Sequence, residues 1–380
     1  MTETAHSKQQ TLMHQEIHEQ PLVLRRTLDT TMDIARHVAS EAKRRGVKMI
    51  LLAARGTSDH AALYAQYLFQ YLNGIPVALA TPSLYTLYGA TLQLEQTLVI
   101  GISQSGESPD IVEVVAQARI AGALTVGVTN HEHALLASTA EYTLLCHAGV
   151  ERSVAATKTY TTTCLVLAML SAFMVGGDAL QEYVGYVPEI VTAALASDMR
   201  IAQVAARYVY ARDCIVLGRA FQYSTARETA LKLEETCYVI ATPFSTADFR
   251  HGPAALVERG LPLVVFAPPG PTCHDSLSLL QWLRDRDADT LVIAEDEHLL
   301  ALATIPIQLT LPAFPGTVVQ GASHMYKEKN TSGRVTVHVA ELLAPFAYVV
   351  AGQLLAQHLA LQKGLNPDQP RNLSKITRTM

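Results

Sequence analysis

From Gly101 to Pro109 the chain reads Gly-Ile-Ser-Gln-Ser-Gly-Glu-Ser-Pro. Ser103, Ser105 and Ser108 place three hydroxyls within six residues, Gln104 adds an amide, and Gly106 permits a tight turn. An apolar run over 97–102 precedes this segment and a helical pattern follows it. Open α/β sheets bind ligands beyond the carboxyl ends of their strands, and a helix start offers unpaired N–H groups and a partial positive charge. Such a loop can hold a phosphate without a lysine. The Gly-Lys-Ser/Thr ending of a P-loop is absent. The plainer alternative is a serine helix cap, but three hydroxyls after a buried strand favour phosphate. A second strand-to-helix loop carries Arg55, Gly56, Thr57 and Ser58. Alone it reads equally well as a ligand contact or a cap.

Ionisable chemistry lies further along. Lys232 and Glu235 are three residues apart in a helical stretch and share a face. Taken alone, an exposed ion pair is the default reading of that spacing. His251 precedes Gly252 and Pro253. No HxxxH or HxH spacing surrounds it, and no CxxC occurs among the five cysteines, so no metal site and no disulfide framework is expected.

The elements needed to position these residues follow from the pattern of apolar runs. Short, nearly continuous apolar runs predict buried parallel strands over 48–54, 76–80, 97–102, 124–129 and a weaker one over 142–146. Helices are expected over 21–41, 59–71, 109–122 and 155–173. The order then repeats, with strands at 213–218, 262–267, 290–294 and 307–311 and helices at 224–235, 274–286 and 343–362. The fold class is therefore α/β, with two tandem doubly wound parallel-sheet units of the flavodoxin-like kind. The boundaries read as a polar, partly mobile start and a first helix over 1–45, a first unit over 46–190, a second over 191–362, and an aperiodic tail over 363–380. A gap without assigned structure surrounds 176–199.

Composition narrows the partners. The 380 residues are 49% hydrophobic and 17% charged, with a formal net charge of -5, which argues against a nucleic-acid binder. The start is polar, and the most apolar stretch, 164–175, is too short to span a bilayer. A cytoplasmic protein without membrane or nucleic-acid partners is expected.

Taken in order, these segments resemble the tandem sugar-isomerase (SIS) domain family, and the likeness covers nearly the whole chain. Residues 13–21 resemble its opening segment. Residues 55–58 and 103–108 resemble its sugar-phosphate loops, and 151–158 its next loop. Lys232, Glu235 and residues 251–253 resemble its catalytic helix and loop, and 368–375 its C-terminal tail. The resemblance implies that Ser58, Ser103, Gln104, Ser105 and Ser108 hold a sugar phosphate while Thr57, Val154 and Ala156 meet the sugar. It further implies that Glu235 shuttles a proton between C2 and C1 and that Lys232 tunes it. His251, supplied by a neighbouring subunit, would assist ring opening, and Lys375 would reach the open-chain sugar. The implied enzyme is a cofactor-independent homodimer with shared sites.

Three departures bear on the reaction. The family's synthases carry a glutaminase domain with a cysteine directly after the initiator methionine, whereas this chain begins Met1-Thr2 and enters the repeat within about 50 residues. Glutamine-driven transfer is therefore not expected of it. Arg55 stands where the synthases have cysteine, and Ala156 replaces a hydroxyl residue. The expected reaction is deamination of glucosamine 6-phosphate to fructose 6-phosphate. Its rivals are isomerisation or deglycation of another phosphosugar, the isomerase part of a synthase, and a non-enzymatic phosphosugar sensor.

Overall fold

The structure, a computed structural model, describes residues 11–176, 178–313, 317–319 and 335–375. Residues 1–10 and 376–380, at the two ends of the expected organisation, lie outside it. The first unit holds strands β1 (Met49–Ala53), β2 (Val77–Leu79), β3 (Thr97–Ile102), β4 (Leu124–Thr129) and β5 (Tyr142–Leu145). They form one parallel sheet in the order β2-β1-β3-β4-β5. The second unit holds β6 (Asp213–Gly218), β7 (Ile240–Ser245), β8 (Pro262–Ala267), β9 (Asp289–Ala294) and β10 (Ile305–Gln308). Its parallel sheet, β10-β9-β8-β6-β7, repeats the first order strand for strand. A short antiparallel pair, Thr317–Val319 with Val335–Val337, stands apart from both.

The alternation of side chains along each strand explains the layering. Ile50 and Leu52 of β1 face one core, and Leu51 and Ala53 face another. In β8, Val264 and Phe266 face inward, while Leu263 and Val265 pack beneath helix Cys273–Arg284 with Leu279, Leu280 and Leu283. The two inner faces share a single core that runs from Met13 to Ala360. It is filled by helices Gln20–Arg44, Thr57–Asn73, Lys158–Val175, Phe221–Cys237 and Val339–Gln362. Two of these, Lys158–Val175 and Val339–Gln362, are long and apolar enough to cross a membrane, but their side chains lie in this interior.

Two expectations need correction. β7 was not anticipated, because Pro243 breaks its apolar run. It is an edge strand beside β6, the place where a residue without an N–H is tolerated. The gap around 176–199 contains helices Asp178–Val184, Val187–Leu195 and Asp198–Ala205. The described part of the polar start is ordered. Leu12–His18 is a helix capped by Thr11, and the Asp368 carboxylate accepts the Leu12 and Met13 N–H groups at 2.9 and 2.8 Å.

The site depends on one close helix crossing. Gly352 packs against helix Phe221–Cys237, and a Cβ there would lie 2.1 Å from Thr229 Oγ1. On an open helix face, Gly→Ala stabilises by up to about 1 kcal/mol. Here the sign should reverse, with Gly352→Ala costing about 1–3 kcal/mol through overpacking. Urea unfolding checks this, through a lower midpoint at an unchanged m value.

Candidate functional site

β1 and β3 are neighbours where the strand order reverses, so the loops that follow them face each other. Between those loops lies a cavity of about 320 Å³. One wall is the 55–58 loop, with Gly56 at φ 53° preceding helix Thr57–Asn73. The other is the 103–108 loop, where Ser103 and Ser108 Oγ atoms lie 3.1 Å apart and the Gly106 N–H donates to Ser103 Oγ at 3.1 Å. Ser108 is the residue before helix Pro109–Ile120, but its side chain makes no capping hydrogen bond. The plain cap therefore does not account for these serines. Arg55 lines the cavity half exposed, and its Nε donates to Asp110 Oδ2 at 2.7 Å.

The remaining walls come from distant segments. Val154, Ala156, Thr159, Tyr160 and Thr163 line one side, Glu235 another, and Leu373, Ser374 and Lys375 of the tail a third. Of the twelve residues singled out in the sequence, ten line this cavity: Thr57, Ser58, Ser103, Gln104, Ser105, Ser108, Val154, Ala156, Glu235 and Lys375. Lys232 sits behind Glu235. His251 does not reach the cavity within its own chain and is exposed after helix Thr246–Phe249, its N–H donating to Asp248 O.

Read without the family likeness, Lys232 and Glu235 were an exposed pair, and this is incorrect. The Lys232 side chain is 0% exposed, because helix Phe221–Cys237 packs on both Thr57–Asn73 and Val339–Gln362. Its ammonium lies 2.5 Å from Glu235 Oε2 and 3.4 Å from Glu228 Oε1, and it donates to Thr57 Oγ1 at 3.3 Å. Burial alone would lower its pKa. The facing carboxylates of Glu228 and Glu235 outweigh burial and raise it, so the lysine is a fixed cation. Glu228 also accepts Thr57 Oγ1–H at 3.1 Å and pairs with His60 Nδ1 at 2.7 Å. Glu235 is one-fifth exposed and is the one carboxylate among the described residues lining the cavity.

A second buried carboxylate fixes the 151–158 loop and the tail. Glu151 accepts the Thr157 and Thr159 N–H groups and the Thr159 hydroxyl at 2.9, 3.1 and 2.7 Å. Lys375 Nζ donates to Glu151 Oε2 at 2.7 Å and to Ser153 O at 2.8 Å. Burial pushes the Glu151 pKa up, but Lys375 and these hydrogen bonds overcome it and hold the carboxyl below its ordinary range. Glu16, from helix Leu12–His18, supports the same loop by accepting the Arg152 and Ser153 N–H groups at 2.5 and 3.1 Å. Sequence reasoning gave no role to Glu228, His60, Glu151, Tyr160, Thr159 or Thr163. The i,i+4 spacings of Glu228 with Lys232 and of Thr159 with Thr163 were the available signals.

The corresponding crevice of the second unit is different. The loop after β8 packs against Glu341 Oε2 at Gly270, and Glu295, after β9, lies near Tyr348 Oη at 3.5 Å. Burial raises both carboxyl pKa values, that of Glu295 to about 7. Carboxyl groups at this position disfavour a phosphate.

Comparison with known proteins follows the two sheets. Residues 43–172 and 208–310 match the SIS domain family. The chain is 35% identical over 368 residues to glutamine–fructose-6-phosphate aminotransferase (isomerizing) of Pyrococcus horikoshii, a match covering 96% of this chain and 57% of that relative. It thus spans less than two thirds of the curated relative's length. A crystal structure of a candidate phosphosugar isomerase from Silicibacter pomeroyi DSS-3 is 31% identical, with a TM-score of 0.78, over 94% of this chain and 100% of that one. The C-terminal domain of glucosamine-fructose-6-phosphate aminotransferase from Francisella tularensis is 25% identical, with a TM-score of 0.79, over 97% and 100%.

Removing the central cation leaves two carboxylates facing each other in the interior. Lys232→Met should cost about 3–5 kcal/mol, and adding Glu228→Gln should recover part of that loss. Thermal and urea unfolding of the single and double variants check this, with additive losses the contrary result.

Proposed function

The chain belongs to the SIS domain family, and on that premise we propose that its cavity is the active site of a phosphosugar deaminase-isomerase. The substrate is glucosamine 6-phosphate, which with water gives fructose 6-phosphate and ammonia. The observation that carries this reading is the position of Glu235. Among the described residues it is the single carboxylate on a hydroxyl-rich cavity, opposite loops suited to a phosphate, and paired with a buried permanent cation.

The hydroxyls and N–H groups of 103–108, with Ser58, bind the phosphate and fix the sugar's register. After ring opening, Glu235 removes the proton from C2 beside the aldehyde and delivers it to C1, while O1 gains a proton and the amine nitrogen gives one up. The product is a ketose imine at C2. Water adds to that carbon and ammonia leaves. Lys232, paired with Glu235, holds the carboxylate that acts as the base. Lys375, held by Glu151 and Ser153 O at the cavity wall, faces the open-chain oxygens. His251 of a second copy supplies the ring-opening proton as a general acid. The working unit is therefore at least a homodimer, and the reaction needs no cofactor. Arg55 favours a second reading, aldose–ketose isomerisation of a different phosphosugar. It places a guanidinium on the cavity wall where the resemblance expects cysteine.

Incubation with a panel of aminosugar and ketose phosphates, with ammonia and sugar product measured together, separates the two readings. Ammonia release from glucosamine 6-phosphate without glutamine is expected, and ketose formation from another aldose phosphate without ammonia would select the second. Ser105→Ala should raise KM about 10- to 100-fold, since a hydrogen bond to a charged group contributes about 1.5–3 kcal/mol. An unchanged KM would remove phosphate from this loop. Mixing inactive Glu235→Gln and His251→Ala chains should restore part of the activity in hybrids. No recovery despite demonstrated subunit exchange would make each chain self-sufficient.

A further inference from the structure

Outside the cavity, three histidines converge on one carboxylate. His14 and His18 lie one turn apart on helix Leu12–His18, and each places Nε2 2.9 Å from Asp198 Oδ2. His358, near the end of helix Val339–Gln362, places Nε2 2.5 Å from Asp198 Oδ1. Asp198 opens helix Asp198–Ala205. The donor atoms of His14, His18 and Asp198 all lie within 4.8 Å of one another. The rings of His14 and His18 are 4.4 Å apart at their centroids, and those of His14 and His358 5.7 Å apart. The side chains are 13%, 38%, 21% and 16% exposed for His14, His18, Asp198 and His358. The cluster is thus sheltered yet open to an ion from solvent.

We propose that His14, His18, Asp198 and His358 bind one divalent transition-metal ion, with zinc the best match. Three imidazole nitrogens and one carboxylate oxygen make the four-donor nitrogen–oxygen set that zinc takes in tetrahedral geometry. Tetrahedral bonds of about 2.0–2.2 Å separate donors by roughly 3.3 Å, so small outward movements of the rings admit the ion. Each neutral imidazole carries its single proton on Nδ1 and offers the bare Nε2, so with the Asp198 carboxylate the net charge passes from −1 to +1 when the ion binds. The sequence reading expected no metal because it looked for partners of His251. The HxxxH spacing occurs instead at His14 and His18, with Asp198 184 residues beyond His14 and His358 160 residues beyond Asp198. The ion joins the N-terminal helix to two helices of the body. That helix also carries Glu16, which holds Arg152 and Ser153 at the cavity loop. The site's effect is therefore to secure the support of that loop, and the proposal does not depend on which sugar is used.

The test uses the full chain without an affinity tag, stripped with EDTA and titrated with zinc chloride by calorimetry, with cobalt(II) as a spectroscopic probe. One ion per chain is expected, with a sub-micromolar Kd, a tetrahedral cobalt spectrum and a higher Tm on zinc addition. His18→Ala, at an exposed position and with folding checked by circular dichroism, and His358→Gln should each weaken zinc binding at least 30-fold and abolish the Tm rise. Absence of stoichiometric binding overturns the proposal. So does equal binding by wild type and both variants, which would assign the ion to other histidines such as His131 and His133.

Discussion

The buried ammonium of Lys232 is the constraint around which the site is organised. It lies where a helix of the second unit meets a loop of the first, and it neutralises carboxylates that could not share that space without it. Thr57 joins the contact from the first unit, through its hydroxyl to Glu228 and from Lys232. The two sheets are consequently set in one register, because sliding the helix would separate the cation from its partners. An apolar core spanning both units supplies the bulk of the packing. The polar contact selects one arrangement of that core and points Glu235 into the cavity.

Much of this was legible from residue patterns, and the rest was lost for identifiable reasons. β3, β4, β6 and β8 have the bounds that their apolar runs predict, since strands buried on both faces leave continuous hydrophobic runs ended by turns. β7 escaped because Pro243 mimics a break, although an edge strand accommodates it. The spacing of Lys232 and Glu235 was visible, but their burial was not, because burial depends on helices 100 residues and more away. Serine spacing in 103–108 suggested phosphate or a cap, and the spacing alone could not show that Ser108 makes no capping bond. His251 is the residue that one chain does not bring to the cavity.

The two units also show how a duplicated backbone can diverge. The turn after β1 has Gly56 at φ 53° and ψ −132°, and that after β6 has Ala220 at φ 49° and ψ −120°. The second unit keeps the conformation with a residue that pays for it, by about 1–2 kcal/mol for a Cβ in left-handed space. What changed is the crevice beyond the strands. In one unit it is open and lined with hydroxyls. In the other, Glu341 lies against Gly270 and Glu295 lies near the Tyr348 hydroxyl. One repeat thus offers the cavity, while the other supplies the helix that reaches it.

The Asp368 carboxylate caps a helix that begins 356 residues earlier, and Lys375 pairs with Glu151 across 224 residues. Contacts of such separation form late, because the loop entropy must be met before they contribute. On a ribosome, the sheets and their helices can assemble while the chain is still emerging. The wall provided by the tail cannot, since it waits for the last of these residues to leave the exit tunnel. Competence to enclose a ligand is therefore acquired only after residue 375 has emerged, in a single step that links early and late segments. A nascent chain halted before residue 368 holds both sheets and an open, unenclosed cavity.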